Sequence, residues 1–176
     1  MKNLLLGFFL IIVIIVNLII NNNINMQAVA VFQGKLKGSY VTFYQDGPKL
    51  PVKINIHVKN LSPGKHGFHV HEKGNLMKND CSECAGHWNP TNKEHGGLND
   101  SNSHAGDLGN ILANEIGEVN KHISTDKLTL FGKNSILGRS IIIHADEDDL
   151  GKGGHDDSLI TGHAGKRLDC AIIGYA

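Results

Sequence analysis

The stretch Val52-Lys53-Ile54-Asn55-Ile56-His57-Val58 alternates apolar and polar side chains without a break. A period of two residues places Val52, Ile54, Ile56 and Val58 on one face of an extended chain and Lys53, Asn55 and His57 on the other, which describes a strand with one buried and one wet face. A helix would scatter the same apolar residues around its circumference, so this stretch decides for β structure. Short runs rich in β-branched residues recur on either side of it, at 28–32, 39–44, 67–71, 127–131, 140–144 and 170–173, with glycine-rich breaks between them. The mature chain sustains no helical apolar period. The reading is an all-β sandwich or barrel of antiparallel strands.

Two stretches, 72–107 and 145–165, carry little strand pattern, yet they hold most of the histidine, aspartate and glycine. Irregular segments longer than about 15 residues inside a compact domain are usually functional or disordered. Function is the better reading here, and it requires some internal tie to hold both segments in place. A chain of 176 residues with 40% apolar side chains has room for one ordinary domain with a real core. Seventeen basic residues balance seventeen acidic ones, so no bulk positive field favours nucleic acid. Low aromatic content (6%), 21 glycines and 11 histidines point to tight turns and imidazole chemistry.

The amino terminus is an address. After Lys2 the run from Leu4 to Val16, continued past Asn17 by Leu18, Ile19 and Ile20, carries no charge. A short basic start, an apolar run and an Asn-rich tract read as a secretory signal peptide at 1–27, cleaved among 24–27, ahead of a domain at 28–176. Cutting after the small-x-small pattern Ala28-Val29-Ala30 would remove half of the first strand. Loss of Lys2 leaves a net charge of about −1. The expected location is secreted and extracellular. A retained signal anchor with an extracellular domain is the alternative, since about 18 to 20 apolar residues can span a bilayer, and only then is a membrane a partner. Asn60-Leu61-Ser62 and Asn99-Asp100-Ser101 are glycosylation sequons at Asn60 and Asn99, the first followed by Pro63.

His69 and His71 stand two apart on a strand, so both imidazoles project from one face while Phe68 and Val70 enter the core. Alone, such a pair is weak, because exposed strand histidines are common. His87, His95, His104, Asp107 and His144 follow. Six histidines and an aspartate exceed what one tetrahedral ion needs, so two ions sharing a ligand is the economical reading. An imidazole has two ring nitrogens and can bridge two cations. Nitrogen-rich ligation suits copper, and three histidines with a carboxylate suit a closed zinc site.

Gly67-Phe68-His69-Val70-His71-Glu72, His95-Gly96-Gly97, Gly106-Asp107-Leu108-Gly109-Asn110, Ile143-His144, Asp148-Asp149-Leu150-Gly151-Lys152-Gly153-Gly154 and Gly165-Lys166-Arg167-Leu168-Asp169-Cys170 occur in this order. Together they resemble the copper/zinc superoxide dismutases over essentially all of 28–176. The resemblance implies an antiparallel Greek-key β-sandwich or barrel, immunoglobulin-like, with two long functional loops. It implies one copper per chain on His69, His71, His87 and His144, and one zinc on His87, His95, His104 and Asp107, with His87 as the bridge. The implied reaction converts superoxide anion to oxygen and hydrogen peroxide by alternate reduction and reoxidation of copper, with His87 passing a proton.

By the same resemblance Asp148 links the outer nitrogens of His69 and His95, Arg167 is the catalytic arginine lining the approach to copper, and Thr161 stands opposite it. His66 corresponds to a structural histidine, whereas His57, His122, His155 and His163 correspond to no ligand and read as solvated or locally bonded. Three cysteines cannot all pair internally. Cys81, six residues before His87, and Cys170 correspond to the family's disulfide, leaving Cys84 to be inert, to pair between chains or to compete for Cys170. A homodimer through the first and last strands is implied, with Val29, Val31 and Ile173 as candidates and a higher oligomer as the alternative. A copper-delivery or other metal-binding module on this fold, or a zinc-only structural protein, are rival functions; all seven metal positions and Arg167 are present here.

The charged loop over 151–160 departs from the resemblance at Ile160, where a lysine is often found, while Asp156 and Asp157 remain. Long-range attraction of an anion is correspondingly weaker. The rate of superoxide loss is therefore expected to fall less steeply with added salt than in relatives carrying that lysine; an equally steep salt series contradicts this.

Overall fold

A computed structural model describes residue 11 and residues 24–176. Most of the targeting segment expected over 1–27 lies outside the described residues. Nine strands are described: β1 (Met26–Val31), β2 (Tyr40–Gln45), β3 (Val52–Val58), β4 (Gly64–His71), β5 (Asp107–Ala113), β6 (Val119–Thr125), β7 (Ser140–His144), β8 (Arg167–Ile172) and β9 (Gly174–Tyr175). One short helix, α1 (Ser158–Thr161), interrupts the loop before β8. The strands form a five-stranded sheet in the order β6-β3-β2-β1-β9 and a four-stranded sheet in the order β5-β4-β7-β8. All neighbours are antiparallel. The chain changes sheet between β3 and β4, returns between β5 and β6 and changes again before β7, which is Greek-key connectivity.

The alternating stretch of the sequence is β3, residue for residue. Its apolar residues meet Phe43 and Val41 of the same sheet and Phe68, Val70, Ile111, Ile141 and Ile143 of the other, with Phe32, Leu130, Ile136 and Ile173 completing the core. Full burial of each large side chain is worth about 1.5–3 kcal/mol. β7 is buried at every position because both its faces are covered. Ile141 and Ile143 enter the main core, and Ile142 points the other way into a cluster with Cys81, Cys84 and Cys170.

The strand expected over 127–131 does not form. Leu128 and Leu130 are buried, as the pattern demands, but the Leu130 N–H donates to Gln45 Oε1 at 2.7 Å. The buried Gln45 amide thus takes the place of a ladder partner and the segment runs irregularly. Conversely, β5 and β6 carry little readable pattern. β5 contains Gly109 and Asn110, and β6 is a sheet edge that exposes Asn120, Lys121, His122 and Ser124. Ile173 cannot line a dimer surface, since it is fully buried; strand alternation turns its neighbour Ile172 outward instead, and Val31 is also exposed.

Cys81 and Cys170 are joined by a disulfide that closes a sequence separation of 89, and Cys84 is free and buried. The bond ties the long loop after β4 to β8 in the four-stranded sheet. On the chain-entropy account such a link stabilises by about 4–5 kcal/mol. Denaturant unfolding of C170S is expected to show a loss of that order, and a loss below about 1 kcal/mol contradicts the account.

Candidate metal centre

β4 delivers His69 and His71 to its outer face while Phe68 and Val70 fill the core. His144 ends β7 and pairs across a bulge with Arg167 of β8. An isolated antiparallel bridge between His71 and His87 brings the loop alongside β4. Asp107 opens β5 opposite His69, and His95 and His104 come from the loop before it. Close backbone approach makes this possible: a Cβ at Gly106 would strike Val70 O and Trp88 N.

Two overlapping groups result. His69, His71, His87 and His144 each offer a nitrogen within 4.8 Å of the others, as do the donor atoms of His87, His95, His104 and Asp107. Outer hydrogen bonds set the tautomers. His69 Nε2–H donates to Asp148 Oδ2 and His95 Nε2–H to Asp148 Oδ1, both at 2.8 Å. His71 Nδ1–H donates to Ala85 O at 2.9 Å, and His144 Nδ1 faces Gly165 O at 3.4 Å. Each bond places the proton on the outer nitrogen and turns a lone pair inward. His69 Nδ1, His71 Nε2, His87 Nε2 and His144 Nε2 are buried with no hydrogen-bond partner. One unsatisfied buried polar group costs about 1–3 kcal/mol, so a group of inward lone pairs fits a cation that accepts them.

On the other side Asp107 Oδ1 lies 2.8 Å from His87 Nδ1, 3.0 Å from His95 Nδ1 and 3.1 Å from His104 Nδ1. Ligands of a tetrahedral ion with bonds of about 2.0 Å stand about 3.3 Å apart, so three nitrogens and one oxygen fit zinc. Asp107 Oδ2 accepts the Gly96 and His104 N–H groups at 3.1 and 2.8 Å, which fixes the carboxylate plane. The four-nitrogen group fits copper. His87 belongs to both groups, with Nδ1 facing one and Nε2 the other.

Burial pushes the His87 imidazole down to about 3, reinforced by His69, and the His144 imidazole down to about 2, reinforced by His69 and His87. Burial and the neighbouring His87 lower His71 as well. These rings stay neutral at neutral pH and keep their lone pairs. For His95 burial acts in the same direction, but hydrogen bonds to Asp107 and Asp148 outweigh it and raise the group to about 9. Burial opposes ionisation of Asp107 and Asp148, yet their histidine partners hold both carboxyls well below the usual range.

Arg167 is half-buried, and its guanidinium forks onto backbone, with Nη1 2.7 Å from Cys81 O and Nη2 2.6 Å from Ala85 O. Among the described residues it pairs with no carboxylate, and its planar fork is held rigidly beside His144. Thr161 ends α1 and donates Oγ1–H to Asp157 Oδ2 at 3.1 Å. His66 donates Nδ1–H to His144 O at 2.9 Å. His57, His122 and His163 each bond a nearby Asn or Asp, and His155 stacks on His163.

Several contributors were given no role by the sequence. Asn110 clamps the Asp148 backbone from both sides, at 2.8 Å to its N–H and 2.8 Å to its carbonyl. Ala85 and Gly165 act through carbonyls, which any residue supplies. Gly162 passes so close to Asp148 and His95 that a Cβ there would fall on both.

An antiparallel Greek-key sandwich carrying two buried donor cages that share one imidazole, with a fixed arginine beside them, defines a β-sandwich metalloprotein of the two-ion type. A family profile described as copper/zinc superoxide dismutase matches residues 37–173. The chain is also 49% identical over 148 residues to a Cu-Zn superoxide dismutase, number 5, of Dictyostelium discoideum, a match covering 84% of this chain and 97% of that relative. The chain belongs to the copper/zinc superoxide dismutase family. It is accordingly an oxidoreductase that acts on superoxide with copper and zinc as cofactors.

The imidazole environments predict the pH response of the metal-free protein. Unfolded histidines take up protons near 6.5, but folded His87 resists until about 3, so its contribution is lost as pH falls below 6.5; His71 and His144 act likewise. His95 has the opposite sign, since its contribution is complete below 6.5 and is lost as pH rises through about 9. Three groups against one make the acid limb the steeper. Calorimetry of metal-free protein should show Tm falling more between pH 6.5 and 4 than between pH 7 and 9, and a flat acid limb contradicts the reading.

Proposed function

We propose that His69, His71, His87 and His144 hold the copper, that His87, His95, His104 and Asp107 hold the zinc, and that His87 bridges them. The observation that carries this reading is the set of four buried, partnerless imidazole nitrogens, His69 Nδ1, His71 Nε2, His87 Nε2 and His144 Nε2, beside one carboxylate oxygen faced by three more. Copper supplies an electron acceptor and donor, and zinc a fixed positive charge. His87 Nε2 takes up a proton while Nδ1 stays anchored on the Asp107 side, and it delivers that proton to the reduced product as a general acid. Asp148 holds His69 and His95 in register, so one carboxylate steadies both cages.

Arg167 captures and orients the anion. Both its Nη atoms are fixed by carbonyls, so little side-chain freedom is lost on binding. At about 5 Å, with an effective dielectric of about 20, a guanidinium attracts a unit anion by roughly 3 kcal/mol. Thr161, held by Asp157, narrows the opposite wall against larger anions.

The segment 1–27 acts as a secretory signal peptide and the domain at 28–176 works outside the cell, with a retained signal anchor as the second form. The uncharged apolar run, the disulfide and the exposure of both sequon residues, Asn60 and Asn99, support an oxidising, glycosylating route. Among the described residues no helix is long and apolar enough to cross a membrane. The exposed apolar residues Val31, Ile172 and Tyr175, on β1 and the chain end, support a homodimer.

The test is metal analysis joined to activity. One copper and one zinc per chain are expected, with superoxide loss abolished by copper removal and restored by copper; activity without copper overturns the mechanism. R167M should lower kcat/KM by about ten- to a hundred-fold at unchanged metal content, the range that a screened attraction of about 3 kcal/mol allows.

A further inference from the structure

The segment 127–131, marked by its pattern as a strand but not used as one, begins with a lysine that reaches into the zinc-side loop. Lys127 Nζ lies 2.6 Å from Asp100 O, 2.5 Å from Ser103 Oγ and 3.5 Å from Gly97 O. An ammonium has three N–H donors, and here it meets three acceptors. All three belong to the span between His95 and His104, which contains neither strand nor helix.

The two ends of that span are fastened near the cage. His95 N–H donates to Leu159 O at 2.8 Å, and His104 N–H donates to Asp107 Oδ2 at 2.8 Å. Between them the chain folds into a turn, with Asp100 N–H donating to Gly97 O at 3.0 Å. Within the turn Asp100 Oδ2 accepts the Gly97 N–H at 3.0 Å and Ser103 Oγ–H donates to Asp100 O at 3.2 Å, both local bonds, whereas the ties from Lys93, Lys152 and Asn102 are at the exposed surface, where such contacts contribute little. Lys127 is half-buried and grips the inner side of the turn, next to buried Ser103 and so one residue from His104. It projects from the chain just after β6, a part of the sandwich outside both long loops.

We propose that Lys127 is a positioning residue for the zinc cage: by gripping Gly97, Asp100 and Ser103 it presets the separation of His95 from His104 before the ion binds. The inference rests on the assignment of those histidines to zinc. A preset loop loses less freedom when the ion is captured, so zinc is bound more tightly and released more slowly. The sheet-borne ligands His69, His71 and His144 do not depend on the turn, so the effect is confined to the zinc side.

The experiment follows zinc transfer from copper- and zinc-loaded enzyme to a colorimetric chelator at neutral pH, with the visible copper absorption recorded in the same sample. K127M should release zinc about ten-fold faster, in the range found when partners that orient metal ligands are removed, with the copper absorption initially unchanged. S103A, which removes one acceptor, should accelerate release by a smaller factor. The metal-free Tm of K127M should fall less than its metal-loaded Tm. Zinc release within two-fold of the parent, or equal falls of both Tm values, overturns the proposal. Should K127M fail to fold, unchanged release from S103A overturns it. H104A tests the ligand assignment apart: zinc retained by H104A overturns that assignment, whereas zinc lost by H104A but released from K127M at the parent rate overturns the role of Lys127 alone.

Discussion

One carboxylate oxygen, Asp107 Oδ1, faces three imidazole nitrogens at 2.8–3.1 Å in the protein interior. Gathering those rings, and the partnerless nitrogens beside them, away from water is unfavourable unless a cation takes the lone pairs. The two long loops and the face of β4 are organised around that requirement. His69, His71 and His144 come from strands, whose positions the main core already determines. His87, His95 and His104 come from irregular chain, which has to be held by other means.

Those means are a small number of links that each act on more than one element. Asp148 spans His69 on the sheet and His95 on the loop, and Asn110 in turn pins the Asp148 backbone. The Cys81–Cys170 disulfide fastens the first loop to β8. That same turn supplies the carbonyl groups of Cys81 and Ala85 to Arg167, and Ala85 O also takes the proton of His71 Nδ1. Cross-link, the Arg167 guanidinium and the His71 tautomer therefore share one short stretch of backbone. A disturbance in any of the three reaches the others through a few bonds. Lys127 extends the same logic to the span between His95 and His104, where an amine from just after β6 grips a turn that has no ladder of its own.

The strand pattern was legible where one face is buried and the other wet, as in β3, or where both are covered, as in β7. It failed at β6 because an edge strand can be polar at most positions and still pair, and at β5 because Gly109 and Asn110 interrupt the run. It misled at 127–131, where Leu128 and Leu130 are buried as a strand would bury them while Gln45 satisfies the backbone. Ile160 stands out only against the family resemblance, which often has a lysine there; the residue alone carries no such signal.

The two-residue apolar alternation by itself determined the all-β character, and the histidines, aspartates and cysteines, in their order and spacing, the class of chemistry and the candidate ligands, since periodicity and donor type are properties of side chains. Tertiary structure alone decided which nitrogen of each ring faces inward, which carbonyls fix Arg167, that Ile173 points into the core, and that Lys127 ends inside the loop between His95 and His104. Those outcomes depend on backbone groups common to every residue and on approaches between segments distant in sequence. Such information resides in the packing of the sandwich and in no local pattern of the chain.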